Sequence, residues 1–392
     1  MITVFYPSGV NMEKEKLLLI PGPTPIHPRI LRSLSLPTIS HVGPIFCQEM
    51  KESLENLKKI VFCENGEAFV VSGAGTLAME MALLNTLPEG EKLLVLSQGY
   101  FGRRMGEIAQ SFKLDSDIIE SEPGTAVTPK ELAEQISKKK YAAVVSTHVD
   151  TATGACAPIK DYAAVLKEYE SIFIVDGVCA TGGMEENMDA WGVDVILTAA
   201  QKCFGVPPGL AVLVFSEEAM AKRRSIPSIR GYYSDIQRWL PIMKDPSKYF
   251  STPCVNEIRA FFEASRIILE EGLKVRFERH RLTAEAIREG FLALGFSFFT
   301  HENYLADTLS VISYPEGVDD AVFRKKLLEK GVIVAGGLGK LTGKVFRMGH
   351  MGNLSFSQVY FAFDAVEKSL QEMKFAHPAG AGIKGVRSLL EK

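Results

Sequence analysis

The stretch SIFIVDGVCATGGMEENMDAWGVDVILTAAQKCFGVPPGLAVLVFS, residues 171–216, carries the reading of the fold. Its apolar runs, 171–176, 193–199 and 211–216, are nearly uninterrupted, as in strands buried on both faces of a parallel sheet. Asp176 closes the first run, and Lys202 follows the second just ahead of a rigid Gly/Pro-rich turn. Burying a carboxylate or an ammonium at a strand end is costly unless each meets a partner. Asp176 is either a structural acceptor or cap, or the counterion of a cation. Lys202 either reaches solvent along its apolar stem or sits in a dry site that lowers its pKa and makes its amine a nucleophile.

The same rhythm extends upstream. EAFVVS (67–72), KLLVLS (92–97) and YAAVVST (141–147) are further strand candidates, with helical stretches at 76–87, 129–140 and 159–170 between runs. This alternation predicts a doubly wound α/β domain, in which ligands bind beyond the carboxyl ends of the strands. After Pro253 the pattern changes to long helical stretches at 256–272 and on to about 294. Shorter strand candidates follow at 308–314, 332–337 and 344–350, interleaved with helices at 319–330 and 356–373. The expected organisation is an N-terminal arm (1–20), a large domain (21–255) and a smaller α+β domain (256–392), packed firmly because nothing between them reads as a linker.

With 46% hydrophobic and 23% charged residues among 392, the composition excludes disorder and fibres. Lys+Arg number 44 against 47 Asp+Glu, a net charge of -3, so no overall basic field exists for nucleic acid or an anionic membrane. No apolar run approaches the ~18 residues of a membrane span. Six scattered cysteines without a C-x-x-C spacing read as reduced thiols in a cytoplasmic protein. The N-terminus lacks a basic-then-apolar leader, and Met12 is an alternative start to Met1.

Two further strand ends complete a constellation. Ser72-Gly73-Ala74-Gly75-Thr76 lies between a strand and a helix, where small residues let backbone N–H groups approach an anion. Taken alone it is equally a dinucleotide loop (Gly73, Gly75, Ala78) or a plain tight turn. Arg347, in KVFRMGHMG, has the planar fork that suits a carboxylate. A phosphate cradle, a buried acid and a buried lysine on successive strand ends are together what pyridoxal phosphate requires: a phosphate site, a carboxylate that keeps the pyridine nitrogen protonated, and an amine for the Schiff base.

From Leu17 to about Leu370 the chain resembles the class V aminotransferases of fold type I, in particular the alanine–glyoxylate and serine–pyruvate group. The likeness lies in Pro21-Gly22-Pro23-Thr24, SGAGT, THVDTATG (147–154), VDGV (175–178), AAQKCFGVPPGL (199–210), KYFSTP (248–253) and GGLGKLTGKVFRMGHMG (336–352). It implies Lys202 as the Schiff-base lysine and Asp176 as partner of the pyridinium nitrogen. Gly75, Thr76 and Gln201 would hold the phosphate, with Phe101 stacked on the cofactor and Val178 on its opposite face. Tyr249 and Thr252 would reach the phosphate of a neighbouring subunit, making a homodimer with shared sites. Arg347 would grip the substrate carboxylate, under a closing segment that contains Gly22. Two departures stand out. Ala152 occupies a position where the family usually has a hydroxyl for the cofactor's phenolic oxygen, leaving Thr151 or Thr153 to substitute, and Ala74 stands where serine is frequent.

The expected reaction is ping-pong amino transfer from alanine or serine to glyoxylate or pyruvate. Rivals are an aminotransferase for 2-aminoethylphosphonate or pyridoxamine, and a cysteine desulfurase or lyase of the same fold, for which Cys203 and Cys254 are the candidate thiols. GKLTGKV (339–345) falls short of a P-loop. His148 and His350, without clustered partners, read as structural histidines rather than metal ligands.

Overall fold

The computed structural model describes residues 16–391. The six expected strands and one unforeseen strand, β3, form one seven-stranded sheet: β1 (Glu67–Ser72), β2 (Lys92–Ser97), β3 (Asp115–Glu120), β4 (Ala143–Thr147), β5 (Ile172–Asp176), β6 (Val195–Ala199) and β7 (Leu210–Phe215). Their spatial order is β1-β7-β6-β5-β4-β2-β3. Strands β2 to β6 pair in parallel and β7 runs antiparallel between β6 and β1. The edge strand β3, DSDIIE, escapes the apolar-run reading because as an edge it is half wet and polar. Its insertion beside β2 makes the strand order turn back between β2 and β4, the kind of place where open sheets bind ligands.

The second unit is a four-stranded antiparallel sheet of β8 (Ser297–Phe298), β9 (Leu309–Ser313), β10 (Ala335–Gly336) and β11 (Val345–Gly349), ordered β10-β11-β9-β8. Helices Leu273–Ala293, Phe356–Glu372 and Ala381–Leu390 supply much of its own core, which includes Ile287, Phe291, Phe363 and Val386. Helix Val255–Glu271 instead buries Ile258, Phe261, Ala264 and Ile268 in the core of the large sheet. We therefore propose Gly272 (φ 83°), rather than 255/256, as the boundary between the units. Leu17 and Leu18 pair in parallel with Val332 and Ile333, so the end of the arm joins the smaller unit. Residues 1–15, and with them the choice between Met1 and Met12, lie outside the described residues.

A third apolar cluster, with Val149, Cys179, Ala180 and Cys203 from one unit and Leu309, Val311, Val345 and Met351 from the other, closes the seam beneath the strand ends. Fully buried Arg276 is its polar counterpart. Its guanidinium donates to the carbonyls of Gly182 (2.6 Å) and Cys203 (2.7 Å) and pairs with Glu271 (2.8 Å), tying the lysine-bearing turn to the second unit.

Candidate active site

Strands β2, β4, β5 and β6 end on one edge of the sheet. Because β1 and β6 are each antiparallel to β7, β1 ends there too, and Gly73 N–H donates to the Gly209 carbonyl at 2.8 Å. The loops after these ends bring together most of the residues the sequence singles out.

Asp176 ends β5 at 2% exposure, and Val178 N–H donates to its Oδ1 at 3.1 Å. Burial, with Asp150 and Glu186 adding like charge, raises its pKa to about 6, while Lys202 pulls the other way. The site is thus built to receive a cation. Lys202 leaves the adjacent strand β6, and its ammonium donates to the carbonyl of Pro21. The Pro21–Thr24 turn is fastened over it by Thr24 Oγ1 donating to the Lys202 carbonyl (2.8 Å) and Thr24 N–H to that of Gln201 (3.1 Å). Gly22 has φ +100°, and a Cβ there would lie 2.5–2.8 Å from Lys202 Cδ, Nζ and Cε. Only glycine suits both that backbone and that contact.

The cradle opens helix Gly75–Thr86, whose N-cap Ala74 provides no side-chain cap, so the first N–H groups lack the usual side-chain acceptor. Ala74 and Thr76 are exposed, and a Cβ on Gly75 would lie 3.2 Å from Ala199 Cβ and 3.5 Å from Val178 Cγ2. This contact places the cradle beside the ends of β5 and β6. The amide of Gln201 points inward, with its buried Oε1 unpartnered among the described residues. Phe101 lies in the first turn of helix Tyr100–Ser111, half-buried.

Arg347, on β11, crosses the seam: its Nε donates to Gly336 (2.8 Å) and its NH1 to the Thr151 carbonyl (3.3 Å). No carboxylate among the described residues is within ion-pairing distance of it, and burial lowers its pKa. It is an aimed guanidinium with its charge left uncompensated. Thr151 Oγ1 contacts Cys179 Sγ at 3.0 Å, whereas Thr153 Oγ1 already donates to the Gln98 carbonyl (3.1 Å) and to Asp150 (3.3 Å). Tyr249 is 68% exposed and Thr252 is exposed as well. Their segment is tied to the cradle by Cys254 N–H donating to Ser72 Oγ at 3.0 Å.

Two residues of this region have no role in the sequence reading. Gln98 holds the switch point between β2 and β4 by donating to Ser146 Oγ (3.2 Å) and the Thr147 carbonyl (2.5 Å). Asp150 is fully buried and accepts from the N–H groups of Phe101 (2.9 Å), Ala152 (2.9 Å) and Thr153 (3.1 Å). It therefore fixes both the aromatic helix and the threonine loop. Its position inside THVDTATG was the available signal, but its bonding to a helix start 49 residues away is invisible to spacing. Asp150→Asn would turn a donor toward these donors. The expected loss is about 1–3 kcal/mol of stability, read by denaturant unfolding.

His148 and His350 are both buried. His148 pairs with Glu186 (2.7 Å) and His350 contacts Ser310 Oγ (3.1 Å), and no group of three or more metal-binding side chains occurs among the described residues. Cys203 is buried, which pushes its thiol up to about 12, unlike the reactive thiolate a desulfurase needs.

The profile described as aminotransferase class V matches residues 32–360. An uncharacterized aminotransferase of Methanocaldococcus jannaschii is 36% identical over 92% of this chain and 94% of its own length. Alanine–glyoxylate aminotransferase 1 of Saccharomyces cerevisiae is 31% identical over 91% and 98%. Among solved structures, the ureidoglycine–glyoxylate aminotransferase of Bacillus subtilis superposes with a TM-score of 0.92 at 28% identity, covering 97% of this chain and 99% of that one. With its parallel sheet and lysine and acid on adjacent strand ends, the chain belongs to the class V aminotransferases, pyridoxal phosphate enzymes of fold type I.

Proposed function

We propose that the protein transfers the amino group of a small amino acid, alanine or serine, to a small 2-oxo acid, glyoxylate or pyruvate. The observation that carries this is buried Asp176, short of positive charge, on the strand next to Lys202. The yeast relative is named for alanine and glyoxylate and the Bacillus structure for ureidoglycine and glyoxylate, which supports glyoxylate as the acceptor.

The residues present fit pyridoxal phosphate: an acid awaiting a cation, and beside it a helix N-terminus without a side-chain cap. When bound, the cofactor supplies an aldehyde that takes up the amino group and a ring that accepts electrons released at the substrate's Cα. Asp176 holds the proton on the ring nitrogen. Gly75, Thr76 and Gln201 hold the phosphate, Phe101 and Val178 flank the ring, and Thr151 is better placed than Thr153 for the phenolic oxygen because its hydroxyl is less committed. Lys202 Nζ, freed from the Pro21 carbonyl, would move the proton from the donor's Cα to the cofactor's aldehyde carbon, and in the second half from that carbon to the acceptor's Cα. Arg347 binds the α-carboxylate, which orients Cα toward Lys202, and the Gly22 turn limits water above it.

Exposed Tyr249 and Thr252 support a homodimer in which they complete the neighbour's phosphate site. The six free cysteines support a cytoplasmic location; among the described residues no helix is long and apolar enough to cross a membrane. The test is to add single amino acids to the holoenzyme and follow loss of the bound cofactor's absorbance. Bleaching by alanine or serine and recovery with glyoxylate supports the reading. Response only to an aminophosphonate or pyridoxamine, or sulfide release from cysteine, overturns it. Gly22→Ala is expected to lower kcat/KM about 10²-fold with the far-ultraviolet circular dichroism unchanged, because the added methyl displaces the lysine amine.

A further inference from the structure

Beside Asp176 lies a buried pair that the reaction above does not use. His148, the residue after β4, is 5% exposed, and Glu186, in the loop after β5, is 2% exposed; His148 Nδ1 and Glu186 Oε1 are 2.7 Å apart. The pair touches the Asp176–Gly177 segment twice. Through its main chain, His148 N–H donates to the Asp176 carbonyl at 2.9 Å, which holds its imidazole at the end of β5. On the other side, a Cβ on Gly177 would lie 2.7 and 2.8 Å from the Glu186 carboxylate oxygens and 2.1 Å from Thr181 Oγ1, so Gly177 is pressed against that carboxylate. Thr181 Oγ1 and Glu186 Oε2 are themselves buried and unpartnered among the described residues, which leaves His148 as the hydrogen-bonded partner of this acid.

We propose that His148 and Glu186 are positioning residues for Asp176: a buried pair that packs against the Asp176–Gly177 peptide, with His148 offsetting the Glu186 charge beside it. The inference rests on Asp176 being the acid that faces the cofactor's ring nitrogen. The electrostatics agree in direction. Glu186 and Asp150 both oppose ionisation of Asp176, and Lys202 favours it. Burial alone would make His148 neutral, but Cys156 and Glu186 outweigh it and raise its pKa to about 10, while Asp307 lies near enough to feel the imidazolium. The shift favours the imidazolium form of His148, whose charge offsets part of the Glu186 field at Asp176 while the pair is intact. Without the cation, an ionised Glu186 would disfavour the Asp176 carboxylate that the cofactor needs.

The test uses His148→Asn, Glu186→Gln, the double variant and Asp176→Asn. Its readouts are the dissociation constant for pyridoxal phosphate by equilibrium dialysis from pH 6 to 9, and kcat against KM. In His148→Asn the cofactor should bind about tenfold more weakly, the equivalent of one pKa unit on Asp176. In the same variant kcat should fall with the KM for the amino donor nearly unchanged. Glu186→Gln alone should bind the cofactor within about twofold of wild type, and adding it to His148→Asn should recover most of the loss. Should His148→Asn fail to fold, His148→Gln with and without Glu186→Gln gives the same comparison. Wild-type cofactor binding in the histidine variants, or no recovery in the double variant, would overturn the proposal. If Asp176→Asn itself binds the cofactor as wild type does, what fails is the reading of Asp176.

Discussion

Lys202→Ala is expected to lower kcat for amino transfer by at least about 10⁴-fold, because one amine both engages the cofactor's aldehyde and carries the proton at Cα. Proton transfer by a positioned group is by itself worth about 10²–10⁴-fold, and the loss of the nucleophile adds to it. The Lys202 side chain lies directly beneath the Gly22 turn, where a Cβ at Gly22 would strike it. Lys202→Arg should fare no better: a guanidinium stays protonated and cannot serve as base. The fold should survive both changes, because the turn is held mainly by backbone, through the Thr24 and Arg276 bonds to the Gln201, Lys202 and Cys203 carbonyls. A small primary amine added to Lys202→Ala should restore part of the rate, since the cavity left by the side chain admits it. Turnover within tenfold of wild type, measured with alanine and glyoxylate, would sink the assignment.

The features legible in the sequence are those whose physical cause is local. Strands β5, β6 and β7 announce themselves because a strand covered on both faces has no wet side to encode, and Asp176 and Lys202 stand out because each interrupts such a run. Gly22 is legible as part of a turn. The reason it must be glycine, however, is a side chain 180 residues further on. The unread features are those decided by tertiary pairing. The edge strand β3 is polar where it meets solvent. Asp150 gathers donors from a helix start and from its own loop, and nothing in the MEEN residues around Glu186 signals that the fold buries its carboxylate. Helix Val255–Glu271 was legible as a helix but not as a part of the large unit, since amphipathicity states that a face is buried without stating against what.

Asp176→Asn should separate stability from function, moving them in opposite directions. An aspartate whose folded pKa is raised from 3.8 to about 6 binds its proton more tightly folded than unfolded. Its cost to stability is absent below about pH 4, grows as pH rises from there to about 6, and is constant above; a shift of about 2 units corresponds to roughly 3 kcal/mol. Asparagine keeps the acceptor for the Val178 N–H, carries no charge and escapes this cost. Cofactor-free Asp176→Asn should therefore melt several degrees above the cofactor-free wild type at pH 8, and the gap should close as pH falls toward 4. With cofactor the order reverses, because the wild-type carboxylate gains a cation that the amide cannot hold. The variant should bind pyridoxal phosphate more weakly and lose about 10²–10³-fold in kcat, the scale of removing one preorganised electrostatic contact. The pH dependence gives the sharper discrimination. Wild-type affinity for the cofactor should decline as pH falls through about 6, where Asp176 takes up its proton, and that limb should be missing in Asp176→Asn. A wild-type profile flat across that range, or a variant no more stable than wild type without cofactor, would show that Asp176 is not held at a cost for the cofactor's sake.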